Sequence, residues 1–259
     1  MYECILYEQV EQAAVITLNR PHVNNAMNMQ MIREITSALE RAERDSEVKS
    51  LIFIGAGDKA FSAGADIEEM ANDSSIVVRE KTQEWVKMFQ KIESIPKPVI
   101  AAVSGYAPAG GTELTLACDF VITDRTAKFG LAEVNIGVIP GAGATVRLTR
   151  WIGRARAKEV LMTGKLIDAE LAYEWGLSNK IVEDGEVLSE AITFARELSK
   201  KSPLSLAAVK RAVNIAGEMD MEKGIQYVLQ EFALLFSSED QKEGMKAFIE
   251  KRKPEFQGK

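Results

Sequence analysis

Residues 97–120 read KPVIAAVSGYAPAGGTELTLACDF. A Val/Ile/Ala run ends at Ser104-Gly105, a stretch of small residues follows, and the chain resumes as an apolar pattern around Glu113. A short β-branched run bounded by turn residues reads as a buried strand. Small residues opening a helical pattern leave the first amide N–H groups unpaired, at the positive end of the helix dipole. The stretch therefore reads as strand, tight turn and helix, the elementary unit of an α/β fold.

Outward from it, similar runs predict strands at 2–8, 12–18, 50–55, 98–103, 119–123 and 179–183. Between them Ile32, Ile35, Leu39 and Ala42 recur at helical spacing, as do Val160 and Leu161 after Gly153. Strands alternating with helices imply a parallel sheet covered by helices. Beyond residue 183 the character changes to apolar helical stripes: Leu188, Ala191, Ile192, Ala195 and Leu198; then Ile225, Val228, Leu229, Phe232 and Leu235; then Met245, Phe248 and Ile249. Such stripes must be covered by the chain's own core or by a second subunit. The chain divides on this reading into an α/β core, residues 1–184, and a helical region, residues 185–259.

Composition removes several function classes. The 259 residues are 46% apolar and 27% charged, with a formal net charge of −6. That balance recruits neither nucleic acid nor an anionic membrane surface. No apolar run approaches a membrane span, and the acidic N-terminus lacks the basic region of a secretion signal. One histidine, His22, and two cysteines, Cys4 and Cys118, are too few for a Cys/His zinc site. His22 follows Pro21 in a turn-like stretch, a poor place for a catalytic triad base. Two isolated cysteines make no disulfide framework, so the expected compartment is reducing and cytoplasmic.

One motif misleads. Gly55 to Ala60, GAGDKA, fits the G-x-G-x-x-A dinucleotide fingerprint after a strand-like SLIFI, with Glu80 downstream of Ile76-Val77-Val78 where a ribose-binding acid belongs. The helix that should follow opens on Asp58-Lys59 and is broken at Gly64, so the segment reads as a loop. Gly164-Lys165 is followed by Leu166 and is no phosphate loop.

Chemistry concentrates in Phe61–Asp66, Gly105–Glu113 and Ile139–Thr145, where small residues adjoin apolar strands. Two amides converging there on one oxygen would form an oxyanion hole; tight strand-to-helix turns without a ligand are the plainer alternative. Glu113 sits in GGTELTLACDF and Glu133 in FGLAEVNIG, unusual apolar settings for acids. Glu113 could be a first-turn acid favoured by its helix dipole and Glu133 half of a surface ion pair. Together, beside amide-rich turns, they suggest general acid–base work on a small molecule.

Five ordered blocks, ITLNRPHVNNAMN (16–28), GAGDKAFSAGADIEEM (55–70), KPVIAAVSGYAPAGGTELTLACDF (97–120), FGLAEVNIGVIPGAGATVRLTRWIG (129–153) and FSSEDQKEGMKAFIEKRKPEF (236–256), make the sequence resemble the enoyl-CoA hydratase/isomerase (crotonase) family over essentially its whole length. The resemblance implies an α/β spiral of repeated ββα units with a C-terminal helical region that trimerises, covers the CoA site and stacks into hexamers. It implies an acyl-CoA thioester whose carbonyl is held by the amides of Ala65 and Gly110, with Glu113 and Glu133 as the acid–base pair. Ala63, Asp66, Ile67 and Gly141 would line the acyl-CoA, and Phe248 and Lys251 would lie by its adenine end. No metal or separate cofactor is implied, because CoA belongs to the substrate. Family isomerases commonly keep only the acid at Glu133, so the presence of both favours a short-chain hydratase, which adds water across a trans-2-enoyl-CoA in fatty-acid β-oxidation. The alternatives are a Δ3-Δ2 enoyl-CoA isomerase or related lyase and, remotely, RNA binding through a basic first helix. Here Arg33, Arg41 and Arg44 are outweighed by Glu34, Glu40, Glu43, Asp45 and Glu47, which reads as a solvated face. Pro108, Ala109, Ala144 and Val146 depart from the family's usual Leu, Gly, Gly and Gln, and are expected to reshape the acyl pocket.

Overall fold

Strand β1 (Ile5–Val10) turns through Glu11, at φ 53°, into an antiparallel partner β2 (Ala13–Leu18). From there the chain, described by a computed structural model over residues 2–259, winds through a repeating path. It continues as α1 (Met29–Arg44), β3 (Ser50–Gly55), α2 (Ile67–Met70), α3 (Ser75–Ser94), β4 (Val99–Val103), β5 (Tyr106–Pro108) and α4 (Gly110–Ala117). Then come β6 (Phe120–Asp124), β7 (Lys128–Gly130), a 3-10 turn at Glu133–Ile136, α5 (Ala144–Thr163), β8 (Ile167–Asp168), α6 (Ala169–Glu174) and β9 (Lys180–Val182). Four helices close the chain: α7 (Val187–Ser199), α8 (Pro203–Ala216), α9 (Met221–Leu235) and α10 (Glu239–Ile249).

The main sheet has the order β1-β2-β3-β4-β6-β9 and is parallel after its first pair. A smaller sheet, β5-β7-β8, stands beside it. Each winding gives a strand to the large sheet, a short strand or single bridge to the small one, and a helix: β4-β5-α4 and β6-β7-α5 are complete examples. In the earlier windings the second strand shrinks to the isolated parallel bridges Met27↔Ala65 and Ala60↔Tyr106. The ββα spiral expected from the sequence is thus present, with two of its short strands reduced to one residue pair.

The alternation of side chains along the strands decides the layers. Ala14, Ile16 and Leu18 of β2, with Leu51 and Phe53 of β3, join α1 and α3 in the main core. Ala13, Val15, Ile52, Ile100, Ala102 and Ile122 point to the opposite face, where Val187, Ala191 and Ala195 of α7 cover them. Strands buried on both faces read as continuous apolar runs, which is why they were legible.

Several expectations change in detail. The first strand begins at Ile5 rather than at residue 2. The small-sheet strands have no counterpart among the expected elements, because two or three residues cannot display a period; the longer α8 has none either. The run Ile76-Val77-Val78 is not strand-like but the first turn of α3, capped by Ser74, whose side chain accepts from Val77 N. Residues after Gly55 form a loop and no helix starts before Ile67, as the poor helix signal implied. Of the three tail stripes, the first is spent on the sheet. The other two stand in water in a single chain: Ile225, Leu229 and Phe232 of α9 and Phe248 and Ile249 of α10 are exposed. Among the described residues, no helix is long and apolar enough to cross a membrane.

Candidate active site

The site is assembled where the second and third windings meet. Gly64, at φ 92°, presses against the start of α4: a Cβ there would lie 2.8 Å from both the Ala109 methyl and the Gly110 nitrogen. Gly111 allows the same approach from the other side, since a Cβ on it would collide with the Ser62 carbonyl. The two loops touch backbone to backbone only because side chains are missing at these positions.

That contact brings two free amides together. In the bridge to Met27, the Met27 N–H donates to the Gly64 carbonyl at 2.7 Å and the Asp66 N–H to the Met27 carbonyl at 3.0 Å. The amide between them, Ala65, faces the other way and donates to no described residue. Gly110 opens α4, so its N–H has no intrahelical acceptor either. Ala109 before it adopts φ 50°, ψ −123°, a backbone conformation that suits glycine. It is held there by its own N–H on the Gly130 carbonyl at 2.7 Å and by Thr112, whose hydroxyl donates to the Ala107 carbonyl and accepts from Gly130 N. At this ψ an L side chain swings into the plane of the next peptide, so the half-buried Ala109 methyl flanks the Gly110 N–H.

Glu113 lies one turn further and is 4% exposed. Its Oε1 accepts from the Ala142 and Ala144 amides, each at 3.1 Å, so the N-terminus of α5 grips a carboxylate on α4. Burial drives its pKa up, to about 7; the two amides and Arg147 pull it down, and the charge on Glu133 pushes it up again. Glu133 opens the 3-10 turn and is half-buried. Its buried Oε2 has no hydrogen-bond partner, and burial raises its pKa as well. Of the plainer alternatives from the sequence, the surface ion pair fails, since Glu133 joins none among the described residues; Glu113 does lie in the first turn of α4, but the amides that hold it come from outside its own helix.

The remaining candidates divide. Ala63, Asp66 and Ile67 flank Ala65, but the Ala63 N–H is taken by the Asn24 carbonyl at 2.9 Å and Asp66 Oδ2 by Arg20 at 2.9 Å. Asp66 therefore anchors its loop through an ion pair. Ile67 is exposed at the start of α2. Gly141 is exposed over α3, where a Cβ would stand 3.2 Å from the Thr82 methyl. Phe248, 85% exposed, and Lys251, at φ 55°, lie at the far end of α10, and no hydrogen bond ties them to the two glutamates. His22 is exposed in a one-turn 3-10 helix. No three His, Cys, Asp or Glu side chains among the described residues gather as a metal site.

Sequence reasoning missed the groups that hold this arrangement. Asn25 is fully buried: its Nδ2 donates to the Ala56 and Ala60 carbonyls at 2.9 and 2.8 Å, and its Oδ1 accepts from Arg20 N, pinning the loop that carries Ala65. Trp85 of α3 lies against the Gly110 backbone, 2.8 Å from where a Cβ would be. The Ala142 and Ala144 amides carry no side-chain signal at all.

Comparison with known proteins finds relatives along the whole chain. The family profile described as enoyl-CoA hydratase/isomerase matches residues 8–259. A crotonyl-CoA hydratase of Syntrophomonas wolfei is 43% identical over 255 residues, 98% of each chain. A short-chain-enoyl-CoA hydratase of Clostridium acetobutylicum is 39% identical, across 97% of this chain and 96% of that one. The crystal structure of an enoyl-CoA hydratase from Bacillus anthracis superposes with a TM-score of 0.95 at 35% identity, covering 99% of this chain and all of that one.

Proposed function

The chain belongs to the enoyl-CoA hydratase/isomerase family, and we propose that it adds water reversibly across the 2,3 double bond of a trans-2-enoyl-CoA to give a 3-hydroxyacyl-CoA. The observation that carries this reading is the pairing of two carboxyl groups of raised pKa, one gripped and one unpaired, beside two unpaired amides.

The division of labour follows from that geometry. The Ala65 and Gly110 N–H groups polarise the thioester carbonyl and hold the negative charge that develops on its oxygen when C3 is attacked. Glu113 spends Oε1 on two amides and has Oε2 free of protein hydrogen bonds. Glu133 offers its unpaired Oε2. A water between them gives one proton to the ionised carboxylate and its oxygen to C3; the protonated partner supplies a proton to C2. Two nearby buried carboxyls resist ionising together, so the pair shares one proton at rest. The water's hydroxyl and one hydrogen end on the substrate, and the pair's net protonation is unchanged.

No metal is required on this reading, since the amides already supply the electrophile. Ala63, Asp66 and Ile67 would shape the acyl end as the loop around Ala65, Gly141 would border it, and Phe248 and Lys251 would meet the adenine of CoA. The exposed stripes on α9 and α10 favour a homotrimer or a hexamer of two trimers, working in the cytoplasm in acyl-CoA breakdown. A series of enoyl-CoA thioesters differing in chain length and branching, with a 3-enoyl-CoA beside them, tests the reaction. Hydration of the 2-enoyl series is the expected outcome; shift of the 3-enoyl double bond without hydration would make the protein an isomerase. Sedimentation of an active monomer at micromolar concentration would remove the assembly.

A further inference from the structure

We infer that Arg147, moored by Glu93, is a positioning residue for this reaction: it holds the turn whose amides aim Glu113. The inference rests on the hydratase reading above. Arg147 lies in the first turn of α5, its side chain 14% exposed. Its Nε and Nη2 donate to the two carboxylate oxygens of Glu93 on α3, at 2.6 and 2.8 Å, a planar fork that only a guanidinium can make. Its Nη1 donates to the Ala142 carbonyl at 2.9 Å. The N–H of that same Ala142 donates to Glu113 Oε1. Contact therefore runs from Glu93 through Arg147 and Ala142 to Glu113. Phe89 of α3, its ring centroid 5.7 Å from the guanidinium carbon, backs the fork, and Trp85, edge-on to Phe89, reaches the Gly110 backbone.

The turn needs such a hold. Ala142 stands between Gly141 and Gly143, the latter at φ 108°, and neither glycine has a side chain to pin it. A charge-assisted bond to the Ala142 carbonyl fixes the peptide from one end while Glu113 takes the amide at the other. An ion pair serving only to join α3 to α5 would need the fork but not the bond to Ala142. The charged groups that bear on Glu113 are Glu133 from the 3-10 turn and Arg147 from α5, with Glu93 of α3 behind the latter. Arg147 favours the ionised form of Glu113 and so opposes Glu133.

The test compares Arg147→Gln, Arg147→Lys and Glu93→Gln with the unaltered protein. Turnover and KM with crotonyl-CoA are read across pH, and the Glu113 carboxyl is titrated by infrared spectroscopy, its band assigned by loss in Glu113→Gln. Arg147→Gln should lower kcat about tenfold or more while leaving KM within about twofold, and should move the carboxyl titration up by about one pH unit. Arg147→Lys keeps the charge without the fork, so the titration should return to its original place while kcat recovers only in part. Glu93→Gln should lower kcat without raising the titration. An Arg147→Gln protein with unchanged kcat and titration, or with losses confined to melting temperature, would overturn the inference. Should that variant fail to fold, an unchanged kcat in folded Glu93→Gln would do the same. A protein that fails to hydrate crotonyl-CoA, yet whose Glu113 band still rises in Arg147→Gln, would refute the hydratase reading while preserving the coupling.

Discussion

Burial raises the pKa of both Glu113 and Glu133, yet their surroundings differ sharply. Glu113 stands on a helix buried along its whole length, and one of its oxygens is held by two amides. Glu133 starts a single 3-10 turn that runs into the exposed residues Val134, Ile136, Val138 and Ile139, and no partner holds its inner oxygen. Burial raises both; at Glu113 two amides from outside its helix and Arg147 oppose it, whereas at Glu133 only its own backbone N–H does. Two acids in unlike environments can hold their one shared proton unequally over a single water.

The largest effect should come from neutralising either member. Glu113→Gln and Glu133→Gln are each expected to lower hydration by more than about a hundredfold with little change in acyl-CoA affinity. The double variant should be scarcely worse than the poorer single one, because both groups serve one step. Additive losses in the double variant, measured by steady-state kinetics, would mean that the two acids act separately.

Stability separates the acids next. The folded pKa of Glu113, about 7, lies above its ordinary value, so the native chain keeps a proton that the unfolded chain releases. Its stabilising contribution is full below the unfolded pKa and is lost as pH rises through about 7. Glu113→Gln should therefore melt higher than the unaltered protein at pH about 8, by several degrees, and no higher at pH about 4. A melting curve insensitive to pH in both proteins would show that the carboxyl is not perturbed.

A smaller shift is expected from the strained residue beside the Gly110 donor. Ala109→Gly relieves a positive-φ L residue and clears the methyl from the donor's side. Net stabilisation of up to about 1 kcal/mol should appear as a modest rise in melting temperature, the added freedom of the unfolded chain offsetting part of the gain. Hydration of 2-methyl-branched thioesters should rise relative to crotonyl-CoA. Loss of hydration in a folded Ala109→Gly protein would mean that the methyl positions the donor instead of crowding it.

The smallest expected effect is none: exhaustive chelation should leave turnover untouched. Activity lost with stoichiometric zinc and restored by it would displace the two-acid mechanism.

What the sequence determined by itself is what repeats along it. Strands such as 50–55 and 99–103 were readable because residues buried on both faces form unbroken apolar runs, and α1 because Ile32, Ile35 and Leu39 return at helical spacing. Glu113, Glu133 and the small-residue segments were legible as departures from ordinary composition, and five ordered blocks made the family recognisable. Tertiary structure alone decided which groups those residues meet. Glu113 finds its amides 29 and 31 residues away, Arg147 finds Glu93 at a separation of 54, and Asp66 finds Arg20 at 46. The strands β5, β7 and β8 exist only because the spiral stacks them, and a backbone amide carries the same chemistry whatever its side chain. Periodicity reports which face is buried; it holds no record of which distant atom arrives there.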